Sequence, residues 1–157
     1  MSTTVRTSQA RIEKSAFWAL LPKTREAVIA LGATANDAGL EPELLELVNL
    51  RCSQINGCAW CVHYHIEHLQ KLGMAPAKIN LVVTWSEAGI FSEREEAALA
   101  WAESLTLLAE THVPDAAYDA ARAVFSEQEL AGLTVAVATI NVWNRFNVAY
   151  RFPPEIG

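Results

Sequence analysis

The sequence predicts an all-α, single-domain bundle of about six to seven helices. Three observations carry this. Prolines and glycines punctuate the chain at helical intervals: Pro22, Pro42, Pro76 and Pro114 stand where helices can begin, and Gly39, Gly57 and Gly73 where they can end. Two S-x-x-E boxes, Ser92/Glu95 and Ser126/Glu129, precede apolar-rich runs and supply reciprocal caps. No segment sustains period-2 alternation between hairpin turns.

In chain order, the first helix opens at Pro22, runs to about Asp37 and is closed by Gly39. The second starts at Pro42 with E-L-L-E-L-V-N-L-R-C-S-Q-I and stops at Asn56-Gly57. A third spans about Cys58 to Leu72, and Pro76 begins a short fourth through Val83. The box at Ser92 starts a long fifth that ends near Glu110. Pro114 to Phe125 forms the sixth. The box at Ser126 starts the seventh, which extends to about Tyr150 until the tail R-F-P-P-E-I-G halts it. The run V-A-V-A-T-I at 135–140 has the composition of a buried strand, but the length of the surrounding pattern favours helix. The expected organisation is a flexible arm at 1–12, a helical domain at 13–152 and a tail at 153–157.

Length and composition narrow the function classes. At 157 residues the chain is long enough to bury a core. The formal charge of −6 and the lack of a basic stripe argue against nucleic acid and anionic membrane as partners. Apolar residues make up 52%, above the roughly 45–50% of ordinary soluble domains. No run approaches the roughly 18 apolar residues of a membrane span, so the excess predicts a homo-oligomer interface. The seventh helix, apolar nearly all round, fits that expectation. The polar N-terminus has no signal-peptide core, and three cysteines do not make a secreted framework. A reducing cytoplasm is therefore the expected compartment.

The chemistry concentrates in G-C-A-W-C-V-H-Y-H-I-E-H at 57–68. Asn56-Gly57 breaks the chain just before Cys58. Cys58 and Cys61 thus fall in the first turn of a helix, where free N–H groups and the positive dipole end stabilise a thiolate. Cys58, Cys61 and His65 follow i, i+3, i+7 spacing and share a face. Glu46 lies ten residues before Asn56, and His65 eight after Gly57. At about 1.5 Å per residue these are similar depths, so an antiparallel hairpin brings the two side chains level. A carboxylate beside an imidazole raises its basicity and fixes its tautomer. The result is a carboxylate–histidine–thiol relay with a second thiol in reserve.

The pattern Glu46…Cys58-Ala59-Trp60-Cys61…His65 resembles the carboxymuconolactone decarboxylase-like superfamily in its alkylhydroperoxidase D-like (AhpD-like) branch. L-L-E-L-V-N-L-R-C-S-Q-I-N-G-C-A-W-C, E-R-E-E-A-A-L-A-W-A-E at 93–103 and T-I-N-V-W-N-R at 139–145 extend the resemblance over about residues 15–152. It implies an all-helical fold assembled as trimers or hexamers. It implies reduction of hydrogen or organic peroxides without a cofactor, with electrons from an external dithiol. By the same resemblance Cys61 attacks peroxide, Cys58 resolves the sulfenic acid, and Glu46 and His65 relay protons. The best-studied members carry a histidine where this chain has Trp60. The superfamily's decarboxylases lack the cysteine pair.

Two other readings stay open. One is a helical redox-sensing or disulfide-exchange module without efficient turnover, which Trp60 motivates. The other is structural zinc, for which Cys52, Cys58, Cys61 and His65 supply four ligands on paper; a second C-x-x-C is lacking, so the redox dithiol is preferred and no metal is assigned. Cys52 is expected to be a small buried hydrophobe. His63 and His68 are placed off the reactive face, and His112 is assigned nothing. Trp18, Trp85, Trp101 and Trp143 are expected in core or interface packing. Asn141, Asn144 and Asn147 are expected to hydrogen-bond between helices, with the wall of a peroxide pocket as the alternative.

Overall fold

The computed structural model describes residues 9–156. Among them are ten α-helices, one 3-10 turn and no strand, an all-α fold as the sequence predicts. The helices are α1 (Lys14–Leu20), α2 (Pro22–Asn36), α3 (Pro42–Ile55), α4 (Ala59–Lys71), α5 (Pro76–Asn80), α6 (Trp85–Ala88), α7 (Glu93–Thr106), α8 (Leu108–Thr111), α9 (Asp115–Val124) and α10 (Glu127–Tyr150). Pro22, Pro42 and Pro76 occupy the first turns of α2, α3 and α5, where the missing N–H costs nothing. Both capping boxes form with both of their hydrogen bonds, at the heads of α7 and α10. The strand-like run at 135–140 lies inside α10.

The count exceeds the expected six to seven for physical reasons. Helix α1 has no side-chain cap and no proline start. It is held by tertiary packing, with Phe17 against Phe146, Tyr150 and Phe152, which no local pattern announces. The predicted fifth helix breaks at Leu107 into α7 and α8. There the Thr111 hydroxyl reaches back to the Ser104 carbonyl at 2.7 Å and Thr106 turns its own hydroxyl to Cys52. The predicted fourth helix ends at Asn80, followed by a 3-10 turn at Val82–Thr84 and then α6. Of the arm expected at 1–12, residues 1–8 lie outside the described residues; Arg11 donates to the carbonyls of Tyr150 and Ala149.

Helix α3 is the central post. One side buries Leu44, Leu45, Val48 and Cys52 against Leu133, Val137 and Ile140 of α10 and Trp101 of α7. The other buries Leu47 and Leu50 against Leu69, Ile79, Val82 and Leu99. Helix α10 packs along α2, α3 and α7, and α4 returns along α3 as the second arm of a hairpin. At Gly132 the backbones of α10 and α2 come together. A Cβ there would clash with the Ala38 Cβ just beyond α2 and come within 3.3 Å of the Ala35 carbonyl oxygen, so glycine suits this approach. No single described helix is long and apolar enough to cross a membrane.

Candidate active site

The α3–α4 turn is built by Asn56 and Gly57. Gly57 takes φ +65, a left-handed conformation that reverses the chain at no Cβ cost. The Cys58 amide then donates to the Ser53 carbonyl at 3.0 Å. The Asn56 side-chain amide donates to the Asn141 and Asn144 carbonyl oxygens at 3.0 and 2.8 Å, tying the turn to α10. Asn144 in turn donates to Ser53 Oγ at 3.1 Å, and Ser53 to the Asn49 carbonyl. For Asn141 and Asn144, the interhelical reading of the asparagine row holds.

Cys58 is the N-cap of α4, its Sγ accepting from the Cys61 amide at 3.3 Å. Cys61 is the third residue of the helix. Both are free thiols and buried, one step further forward than a pair lying wholly inside the first turn. Asn147 of α10 donates its side-chain amide to Cys61 Sγ at 3.1 Å. The hydrogen bond from Cys58 is the largest influence on Cys61. With the amides of Asn147 and Asn144 and the nearby His65, it outweighs burial and brings the thiol down to about 6 from an ordinary 9.0. Cys58 is pushed the other way, because its proton is held in that bond and because it is buried. The arrangement favours ionisation at Cys61 and keeps the proton on Cys58.

Glu46 of α3 and His65 of α4 meet as helix counting predicts, with His65 Nδ1 2.6 Å from Glu46 Oε2. An ionised carboxylate only accepts, so Nδ1 donates and Nε2 is left as the free ring nitrogen. No hydrogen bond joins His65 to Cys61, although both border the same cavity. A proton passing between them needs an intervening water or the reactant itself.

The cavity has a volume of about 550 Å³ and lies between α1, α2, α3, α4 and α10. Two tryptophans expected in packing, Trp18 and Trp143, border it, whereas Trp101 is buried in the core as expected. Trp60 stacks on Tyr64 at 5.1 Å, and the Lys14 ammonium sits 4.0 Å over its ring.

Two sequence expectations need correction. His68 is not off the site: its Nδ1 lies 3.8 Å from the same Glu46 oxygen that holds His65. A step of three from His65 places it on that helix face, and this spacing was legible. Asn147 is more than a helix–helix bond, since it contacts the reactive sulfur. Its partner is 86 residues away in sequence, so only the i, i+3, i+6 row of amides hinted at it. The four ligands of the zinc alternative are not gathered. Cys52 Sγ accepts from Thr106 Oγ1 at 3.2 Å, and burial drives its thiol up to about 12. The metal-ligating side chains that do converge among the described residues are Glu46, His65 and His68. His63, by contrast, stays at the surface beside Glu67 and the Glu155 carbonyl.

Known proteins resemble this chain in sequence and in fold. A model of the carboxymuconolactone decarboxylase family matches residues 19–104. YdfG of Bacillus subtilis, an uncharacterized protein, is 28% identical over 137 residues, covering 87% of this chain and 93% of its own. Among solved structures, a protein of unknown function from Agrobacterium tumefaciens, described as a candidate AhpD of antioxidant defence, is 37% identical. It superposes with a TM-score of 0.88 over 95% of this chain and 100% of its own. The debrominase Bmp8 shares the fold alone, at 20% identity and a TM-score of 0.71 over 85% of this chain and 74% of its own.

Proposed function

This chain belongs to the carboxymuconolactone decarboxylase family, and we propose that it is a thiol-dependent peroxidase using Cys61 as nucleophile. The observation that carries the reading is the donor set on one buried sulfur: Cys58 and Asn147 hold the Cys61 thiolate beside a Glu46–His65 pair, on the wall of a cavity. The Agrobacterium relative's description as an antioxidant-defence protein agrees with it.

In the proposed cycle the Cys61 thiolate attacks the distal peroxide oxygen. An S–O bond forms, the O–O bond breaks, and the sulfur is oxidised by two electrons to sulfenic acid. The leaving oxygen takes a proton delivered from His65, directly or through water, and departs as alcohol or water. Glu46 keeps Nδ1 occupied, so Nε2 is the nitrogen that carries this proton. Cys58 then attacks the sulfenic sulfur. The S–S bond forms, water leaves, and an external dithiol returns both cysteines to thiols by exchange. The cycle uses no prosthetic group.

Peroxide consumption with dithiothreitol as reductant tests this, wild type against Cys61→Ser. Equal rates would sink the proposal. A single stoichiometric oxidation without further turnover would favour the sensing module instead. We further propose that the chain works as a homo-oligomer, a trimer or hexamer. Leu20 and Leu21 at the α1–α2 corner are 68% and 59% exposed, apolar surface that a second copy would cover. Sedimentation at micromolar concentration should then show no appreciable monomer.

A further inference from the structure

The cavity beside Cys61 is much larger than the simplest peroxide requires. Hydrogen peroxide has the bulk of about two waters, at about 30 Å³ each, and would leave most of the 550 Å³ empty. That volume falls in the range of about 300–1,000 Å³ that suits a small organic ligand.

The walls state what kind. Trp18 and Trp143 meet edge-on at 5.6 Å, and Trp60 and Tyr64 stack at 5.1 Å, all four bordering the same space. With Tyr64 stacked on Trp60 and the Lys14 ammonium over its ring, it is mainly the edges of these side chains that a flat ring would meet. The charges are equally particular. Lys14 pairs with exposed Glu155 at 3.0 Å, and Glu46 is engaged by His65. Arg25, exposed on α2 where it borders the cavity, makes no ion pair among the described residues. Burial and Glu46 push the Tyr64 hydroxyl up, and Arg25 opposes them. An unpaired guanidinium at the rim of an aromatic cavity is complementary to a carboxylate.

We infer that the substrate is an aromatic hydroperoxide bearing a carboxylate, its ring held among the four aromatic side chains, its carboxylate on Arg25 and its peroxide oxygen at Cys61. The inference rests on the peroxidase reading for the hydroperoxide group alone; the ring and the carboxylate rest on the cavity. The chemistry is that of the cycle above. The O–O bond breaks, Cys61 is oxidised to sulfenic acid, the alcohol leaves with one proton, and an external dithiol supplies the two electrons.

A matched set of oxidants tests it on the full chain. Cumene hydroperoxide, its 4-carboxy derivative and hydrogen peroxide are compared by kcat/KM. The carboxylated compound should lead cumene hydroperoxide by about fivefold or more, the strength of one charge-assisted contact at a partly exposed site, and hydrogen peroxide should come last. Arg25→Gln should bring the ratio of carboxylated to parent compound to about one. Ile29→Trp, at a half-exposed position on the cavity wall, should narrow the cavity and lower the ratio of either aryl compound to hydrogen peroxide. Equal kcat/KM for carboxylated and parent compounds, an unchanged ratio in Arg25→Gln, or hydrogen peroxide equal to both would overturn the inference. A second readout separates it from the peroxidase reading. The product analogue 4-(2-hydroxypropan-2-yl)benzoate should bind Cys61→Ser protein and change tryptophan emission, less tightly when Arg25→Gln is added. Binding without peroxide turnover removes the peroxidase and keeps the ligand class; turnover with no such binding removes the ligand class and keeps the peroxidase.

Discussion

Cys52 and Cys61 are equally hidden from solvent, at 0% and 1% exposure, yet their thiols are driven in opposite directions, up to about 12 and down to about 6. Both pay desolvation, which disfavours a thiolate. The difference is in the donors. Cys52 sits inside α3 with one hydroxyl, Thr106, beside it and a wall of apolar side chains. Cys61 sits in the first turn of α4, with the Cys58 thiol, the Asn147 and Asn144 amides and His65 around its sulfur. Burial alone therefore does not decide whether a cysteine is inert. The converging thiol and amide donors, with His65 nearby, reverse its sign, and the packing of the α3–α4 turn on α10 gathers them.

The largest test of this contrast exchanges the two sulfurs in turn. Cys61→Ser should abolish peroxide turnover, whereas Cys52→Ala should keep it, both read by peroxide consumption under the same reductant. A comparable loss in both variants would erase the distinction. Next in size, His65→Ala should lower kcat by about 10²–10⁴-fold, the usual worth of a positioned acid–base group, while the folded state persists by circular dichroism. Smaller again is Asn147→Ala. A hydrogen bond to a charged group is worth about 1.5–3 kcal/mol, so its loss should raise the Cys61 pKa by about 1–2 units. Iodoacetamide alkylation would then show its midpoint moving up from about 6, and the rate deficit at neutral pH should close above pH 9.

The same shifts give a pH signature for the reduced protein. Between about pH 6 and its ordinary 9.0 the unfolded chain keeps the Cys61 proton that the folded protein has released. Stability from this group therefore rises with pH across that window and is lost as pH falls through about 6. Cys52 and Cys58 act with the opposite sign. Held as thiols in the fold, they contribute stability that is present below 9.0 and declines as the unfolded chain ionises above it. Urea melts across this range should show an optimum between the two limbs, and a flat profile would contradict the assignment. The smallest expected effect is on the Cys52 side. Cys52→Ala should cost about 1–2 kcal/mol of stability as a small core truncation, with the Cys61 alkylation midpoint unmoved.

What the sequence discloses divides along the same line as the two cysteines. Everything local to the α3–α4 hairpin is legible: the Asn56-Gly57 turn, the placement of Cys58 and Cys61 at a helix start, and the level meeting of Glu46 with His65, which needs only a rise per residue. The proline starts and the two capping boxes fix α2, α3, α5, α7 and α10 in the same way. Contacts made across the fold are not legible. Helix α1 exists because Phe17 finds the aromatic side chains at the end of α10, and Asn147 reaches Cys61 from the far end of the chain. Trp18 and Trp143 look like core in composition, yet the packing of α1 and α10 turns them toward a cavity. Whether an apolar side chain lines a space or fills one is decided by the shape of its neighbours, and sequence periodicity does not encode that shape.

The Cys58 sulfur is also a helix cap, and this couples the end of α4 to electron transfer. In the reduced protein Cys58 Sγ accepts the Cys61 amide, the role that serine or aspartate plays elsewhere. A sulfur tied into a bridge with Cys61 is a poorer acceptor for that amide, so oxidation would weaken the cap. N-caps are worth about 1 kcal/mol, and for a two-electron couple about 1.4 kcal/mol corresponds to 30 mV. The cap thus favours the dithiol and would raise the midpoint potential of the pair by about 20 mV. A helix end would set how readily the protein gives its electrons away.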